Sequence, residues 1–173
     1  MDIHLAALKD PIIGQDFLTW LWFACESREG KFSATGLGDF LIFVEQKVSV
    51  QGGDGENVET AQVSGPYSEL TEARQGLKGG KRVNRAQVRF EQDGAVWTMT
   101  LKSEDLSPNS LRTPKIETKT EEGDDPDAPF LEKMFLLERA SALLEAVFTE
   151  FLKLRFSRAW TDELAGFGRW LAR

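Results

Sequence analysis

The sequence predicts an α+β fold: an antiparallel sheet built of hairpins, with helices packed on one face and a long helix near the C-terminus. Three observations carry this reading. The runs Arg82 to Phe90 and Ala95 to Lys102 alternate apolar and polar residues with the period of a strand. Residues 15–28 are apolar nearly all round, and residues 128–156 repeat apolar positions with the period of a helix. At 173 residues and 41% hydrophobic content the chain is of a size to close one core, so residues 1–173 are read as one domain.

The elements follow in order. "QDFLTWLWFACESR", Gln15 to Arg28, predicts a core helix, ended by Gly30. "DFLIFVEQKVSVQGG" predicts a hairpin, Phe40 to Val44 against Lys47 to Gln51 about a polar turn, followed by a loop at "GGDGEN". A weaker strand is expected over Val58 to Ser64. Ser68 is expected to cap a short helix that runs to about Leu77 and closes at Gly79 and Gly80.

The two alternating runs then form the clearest hairpin, turning at "EQDG". Ala86, Val88, Phe90, Trp97, Met99 and Leu101 are expected to face the core. Arg85, Gln87, Arg89, Thr98, Thr100 and Lys102 would then line the other face as a row of donors with no carboxylate among them. "SLRTPKIETK" predicts a further strand, which Pro114 confines to an edge or a bulge. An acidic loop, residues 119–128, precedes the long helix from about Ala128 to Phe156. That helix has Met134, Leu137, Leu144, Phe148 and Phe151 on one stripe and Leu136, Ala140, Leu143, Val147 and Leu154 beside it. So wide an apolar arc lies deep across the sheet or offers surface to a partner subunit. Ser157 to Ala172 predicts a last helix, with Trp160, Leu164, Phe167, Trp170 and Leu171 on its apolar side.

Composition argues against most catalytic and metal chemistries. His4 is the only histidine, near a terminus expected to be loosely held, and one histidine assembles neither a triad nor a metal cluster within one chain. Cys25 is the only cysteine and sits in an apolar run, where a thiol is inert; no intramolecular disulfide is possible. Glu121, Glu122, Asp124, Asp125 and Asp127 lack calcium-loop spacing, and Pro126 breaks the run, so a solvated cluster that also caps the next helix is expected. No signal peptide or membrane-spanning run is recognisable, so a cytoplasmic protein with no catalytic residue, metal or cofactor is expected.

"GLKGGKRVNRAQVRF", Gly76 to Phe90, has the look of a phosphate loop and fails as one. A Walker A loop needs glycine where Gln75 stands and serine or threonine where Arg82 stands. "GLGDFL", from Gly36, likewise has Leu41 where the last glycine of a dinucleotide fingerprint belongs.

What remains is electrostatic. The net charge is −7, yet residues 74–119 hold ten lysines and arginines against five acids, a local +5 that leaves −12 for the rest. A basic patch on a rigid hairpin, with the acids elsewhere, suits a phosphate backbone, whose affinity comes mainly from counterion release by a few Lys/Arg contacts. The plain alternative is a solvated strand face, where Lys, Arg and Thr serve solubility and edge protection.

The segment "SELTEARQGLKGGKRVNRAQVRFEQDGAVWTMTLKSEDLSPNSLRTPKI", with "DPDAPFLEKMFLLERASALLEA" after it and "GQDFLTWLWF" before it, resembles the recombination-associated protein RdgC family in order and pattern, over roughly Gly14 to Leu152. Family members are longer, so the resemblance is to a shortened, divergent relative of their C-terminal part. It implies an α+β protein that binds DNA without much sequence preference as a ring-like dimer, is nucleoid-associated and restrains the RecA recombinase. Carried over by position, Lys81, Arg82, Arg85, Arg89, Lys102, Arg112 and Lys115 would face phosphates, and Lys78 of the same basic stretch is counted with them.

The expected function is therefore non-enzymatic, sequence-independent DNA binding that modulates recombination, with self-association through the long helix. Its rival is a protein-interaction module or phage-borne accessory protein, in which that helix and the five tryptophans make the interface and no DNA is bound.

Overall fold

The computed structural model describes residues 2–52, 59–64, 70–116, 123 and 125–173. In chain order the elements are α1 (Ile3–Lys9), α2 (Pro11–Ser27), β1 (Lys31–Ala34), β2 (Gly38–Gly52), β3 (Glu59–Ser64), α3 (Leu70–Lys78), β4 (Arg82–Gln92), β5 (Ala95–Lys102), β6 (Pro108–Arg112), α4 (Ala128–Arg155) and α5 (Trp160–Ala172). All strand pairs are antiparallel, in the order β1-β2-β4-β5-β6, with β3 on the same edge of β2 as β1 but at its other end. This is the expected α+β architecture, with the helices packed on one face and the long helix in place.

The hairpin of β4 and β5 forms as its alternation predicts, with the turn reduced to Asp93 and Gly94, both at positive φ, and Gln92 paired with Ala95. Ala86, Val88, Phe90, Trp97, Met99 and Leu101 are all buried. β2 corrects the expectation of a second hairpin at 40–51. It is one strand of 15 residues whose pairing with β4 slips between Val44 and Val48. The polar stretch read as a turn is a bulge, which inserts extra residues without reversing the chain. Its true hairpin partner is β1, a four-residue strand reached through Gly36 and Gly38, which both hold positive φ. β3 and α3 lie close to the expected positions. Ser68, the expected cap, and Gly53 to Asn57 of the expected loop lie outside the described residues.

α2 is the central helix. Pro11 suits its first turn, where the missing N–H has no partner to lose, and the Asp10 carboxylate accepts from the Ile12 N–H at 3.0 Å. Ten of its residues are buried, Phe17, Trp20 and Trp22 among them, because sheet, α4 and α5 all press on it. Thr19 fixes its height over the sheet: its hydroxyl donates to the Gln15 carbonyl at 2.7 Å and accepts from the buried Val83 N–H at 3.0 Å. The N-terminus is not loose but helical, with Ile3 and Ala7 of α1 buried.

α4 is 28 residues long, and its two halves differ. Ala140, Leu143, Leu144, Val147, Phe148 and Phe151 are buried, Phe148 edge-on to Phe17 at 5.1 Å. In the first half Phe130, Leu131, Met134 and Phe135 are exposed, so the stripe expected to run from Met134 is covered only from Leu136 onward, where Trp97 Nε1 donates to the Leu136 carbonyl at 3.0 Å. α5 docks through Trp170, edge-on to Trp22 at 5.4 Å, with its Nε1 donating to Glu26 at 2.8 Å. No described helix is long and apolar enough to cross a membrane.

Candidate nucleic-acid interface

Strand register places the candidate residues. Across β4 and β5, Arg85 stands opposite Lys102, Gln87 opposite Thr100 and Arg89 opposite Thr98. β6 adds Asn109 opposite Thr100 and Arg112 opposite Thr98. Side chains alternate across a strand, so these residues share the face turned away from the core; at the Arg89 end, Phe43, Glu45 and Arg89 line one cleft with Trp22 and Glu26 of α2 and Arg74 of α3. The levels of Arg85 and Arg89 are about 13 Å apart along the strand at 3.3 Å per residue.

That face divides into two unlike ends. At one end Arg89 is fully engaged. Its Nε donates to Glu45 Oε1 at 2.5 Å, its NH1 donates to Glu91, and its guanidinium lies 4.6 Å from the centre of the Phe43 ring. The expected row without carboxylates is corrected here: Glu91 lies two residues on along β4, on the same face, and Glu45 arrives from β2. At the other end Arg85 is exposed and Lys102 half-buried, directly opposite one another. Neither has a carboxylate partner among the described residues. Like charges paired across two strands repel, so an anion at this end would relieve a cost the fold otherwise carries.

The remaining expected residues scatter. Arg82 turns to the helix layer and pairs through Nε with Asp16 of α2 at 3.4 Å, where Arg155 of α4 also binds at 3.2 Å. Lys81 precedes β4, with its aliphatic stem against Gly52. Lys78 is exposed at the end of α3, on the helix-covered side. Arg112 is exposed on the edge strand and Lys115 is exposed beyond it. Of the eight residues, Arg85, Arg89, Lys102 and Arg112 share the face turned away from the core, Arg85 beside Lys102 at one end and Arg112 level with Arg89 at the other, and Lys115 lies past the edge strand.

The residues weighed for catalysis have structural surroundings. His4 Nδ1 is 3.0 Å from the Asp105 carbonyl oxygen, tying α1 to the turn after β5. Cys25 is buried, and loss of hydration pushes its thiol well above the ordinary range. Among the described residues no three His, Cys, Asp or Glu side chains are grouped to hold a metal ion. In the acidic loop Asp125 accepts from the Asp127 N–H at 2.9 Å, and Asp127 sits at the N-cap of α4 without a side-chain capping bond, so the expected cap is not made by it.

No family model, no curated protein and no solved structure matches the chain. The fold and the geometry of this face therefore carry the functional argument.

Proposed function

We propose that the protein is a non-enzymatic DNA-binding protein that takes a phosphate backbone on the uncovered sheet face, with little preference for sequence. The observation that supports it best is the Arg85–Lys102 pair: two cations side by side on a rigid hairpin, neither with a carboxylate partner among the described residues, beside the donors Gln87, Thr100 and Asn109, with Arg112 further along the same face at the level of Arg89. Phosphate contacts position a protein without reading bases. The resemblance to the RdgC family points the same way and adds a role in modulating recombination.

Fluorescence anisotropy with random-sequence duplex and single strands at 50 and 200 mM salt tests this. Three to four cationic contacts give a slope of log affinity against log salt of about −3 on duplex. Absence of binding at the lower salt by a folded protein would rule the proposal out.

The exposed Phe130, Leu131, Met134 and Phe135 on the first turns of α4 supply an apolar surface for self-association. A second copy of the chain is the partner we assign to this surface, as a self-associating DNA-binding protein would need. Sedimentation of the Phe130→Asp/Phe135→Asp double variant should then show a smaller species than the parent chain.

A further inference from the structure

The two halves of α4 turn their apolar residues to different sides. At about 100° per residue, with Phe130 at the origin, the buried Ala140, Leu143, Leu144, Val147, Phe148 and Phe151 centre at about 280°, the side packed on α2. The exposed Phe130, Leu131, Met134 and Phe135 centre at about 70°, on nearly the opposite side. They form a second apolar face, not an uncovered end of the first. Glu132 and Lys133, between them in sequence, point about 130° from its centre, so neither charge stands inside it.

This face is its own complement. Set against its own reverse, "FLEKMF", Phe130 to Phe135, places phenylalanine against phenylalanine and leucine against methionine, a pair of similar volume. A two-fold axis between Glu132 and Lys133 therefore brings Leu131 level with Met134 of a second copy, and apolar side chains meet at every level of the patch. Beyond the patch the same stripe ends in acids, Asp127 before it and Glu138 after it, both exposed. Helices lying side by side would set Asp127 level with Glu138 at both ends, whereas a crossing at about −50° parts those ends and confines the contact to the two apolar turns. Arg139 borders the patch, its guanidinium 5.7 Å from the centre of the Phe135 ring. The four side chains remain 66%, 58%, 41% and 57% exposed. At about 200 Å² for each when fully open, they offer about 450 Å² per copy and about 900 Å² per pair. The helix surface around them brings this to the about 1,000 Å² of the smallest specific interfaces, which suits a dimer with Kd in the micromolar range.

We infer that the first turns of α4 pair two copies of the chain antiparallel about a two-fold axis between Glu132 and Lys133, with Leu131 packed on Met134 of the second copy. This rests on the self-association proposed above and is independent of the phosphate contacts.

Sedimentation equilibrium without DNA, over about a hundredfold range of concentration around 10 µM, should show the parent chain passing from monomer to dimer. Met134→Asp, with an unchanged Tm, should stay monomeric, and Phe156→Asp, at the exposed C-cap of α4, should pair as the parent does. Oxidation of an equal mixture of Leu131→Cys and Met134→Cys should give a disulfide-linked dimer several-fold faster than either variant alone, and the buried Cys25 does not compete. A parent that stays monomeric overturns the self-association and this inference with it. A parent that dimerises while Met134→Asp dimerises equally, or while Leu131→Cys alone links as fast as the mixture, overturns the antiparallel pairing and leaves self-association standing.

Discussion

Two glycine-to-alanine substitutions should act in opposite directions, and the structure says which is which. Gly14 lies in α2 where the helix crosses the turn after β5, and a Cβ built there falls 1.9 Å from the Ser103 carbonyl oxygen and 2.8 Å from its carbon. Carbon and oxygen rarely approach closer than about 3.3 Å, so helix and turn would have to separate by about 1.4 Å. Neither yields easily. Ser103 is buried and its N–H donates to the Asn84 carbonyl at 2.8 Å, while α2 is held by Thr19 on Val83 and by its buried aromatic residues.

Alanine gains about 0.5–1 kcal/mol of helix propensity over glycine, whereas overpacking of a rigid contact costs about 1–3 kcal/mol or more. The clash wins. Gly14→Ala should lower stability by about 1–3 kcal/mol, and at about 2–4 °C per kcal/mol for a chain of this size Tm should fall by about 3–10 °C. Gly168 is the control, a glycine of α5 with nothing within 4 Å of its added Cβ; Gly168→Ala should raise Tm by about 1–4 °C. Thermal melts by circular dichroism, paired with urea titrations to check that the slope is unchanged, decide it. If Gly14→Ala melts at or above the parent temperature, the close seating of α2 on the β5–β6 turn is wrong.

Thr19→Val keeps the shape but removes the acceptor of the buried Val83 N–H, and urea unfolding should show a loss of about 1–3 kcal/mol. Cys25 should resist alkylation at pH 8 until denaturant is added. Its thiol is held above the ordinary value of 9.0, so the folded chain keeps a proton that the unfolded chain releases as pH rises past 9. That contribution is complete below pH 9 and is lost above it. The parent's urea midpoint should accordingly drop more steeply above pH 9 than that of Cys25→Ala.

The legible parts of this fold are those where a pattern answers to one neighbouring layer. β4 and β5 alternate cleanly because one face meets helices and the other does not, and all six expected core residues are buried there. α2 was legible as a buried helix because no side of it is polar enough for water. β2 was not, since a polar triplet inside a strand reads the same whether the chain turns or bulges; pairing with β4 on one edge and with β1 and β3 on the other decides it. β1 is four residues long, too short for a period to register.

On the candidate site, the Glu91 partner of Arg89 was available from spacing alone, because residues two apart on a strand share a face. The Arg82–Asp16 pair was not, since it joins residues 66 apart through the packing of α2 on β4. Nor did sequence period reveal that the first half of α4 stays exposed, because an apolar stripe looks alike whether or not anything covers it.

The central claim is that Arg85 and Lys102, not Arg89, meet the phosphates. The most direct measurement is the salt dependence of duplex binding for Arg85→Glu/Lys102→Glu beside Arg89→Gln. The account predicts that the double reversal flattens the slope by about two and weakens binding uniformly across sequences, while Arg89→Gln stays close to the parent because Glu45 and Glu91 already occupy that guanidinium. Equal slopes for the parent and the double reversal, with both proteins folded, would contradict it.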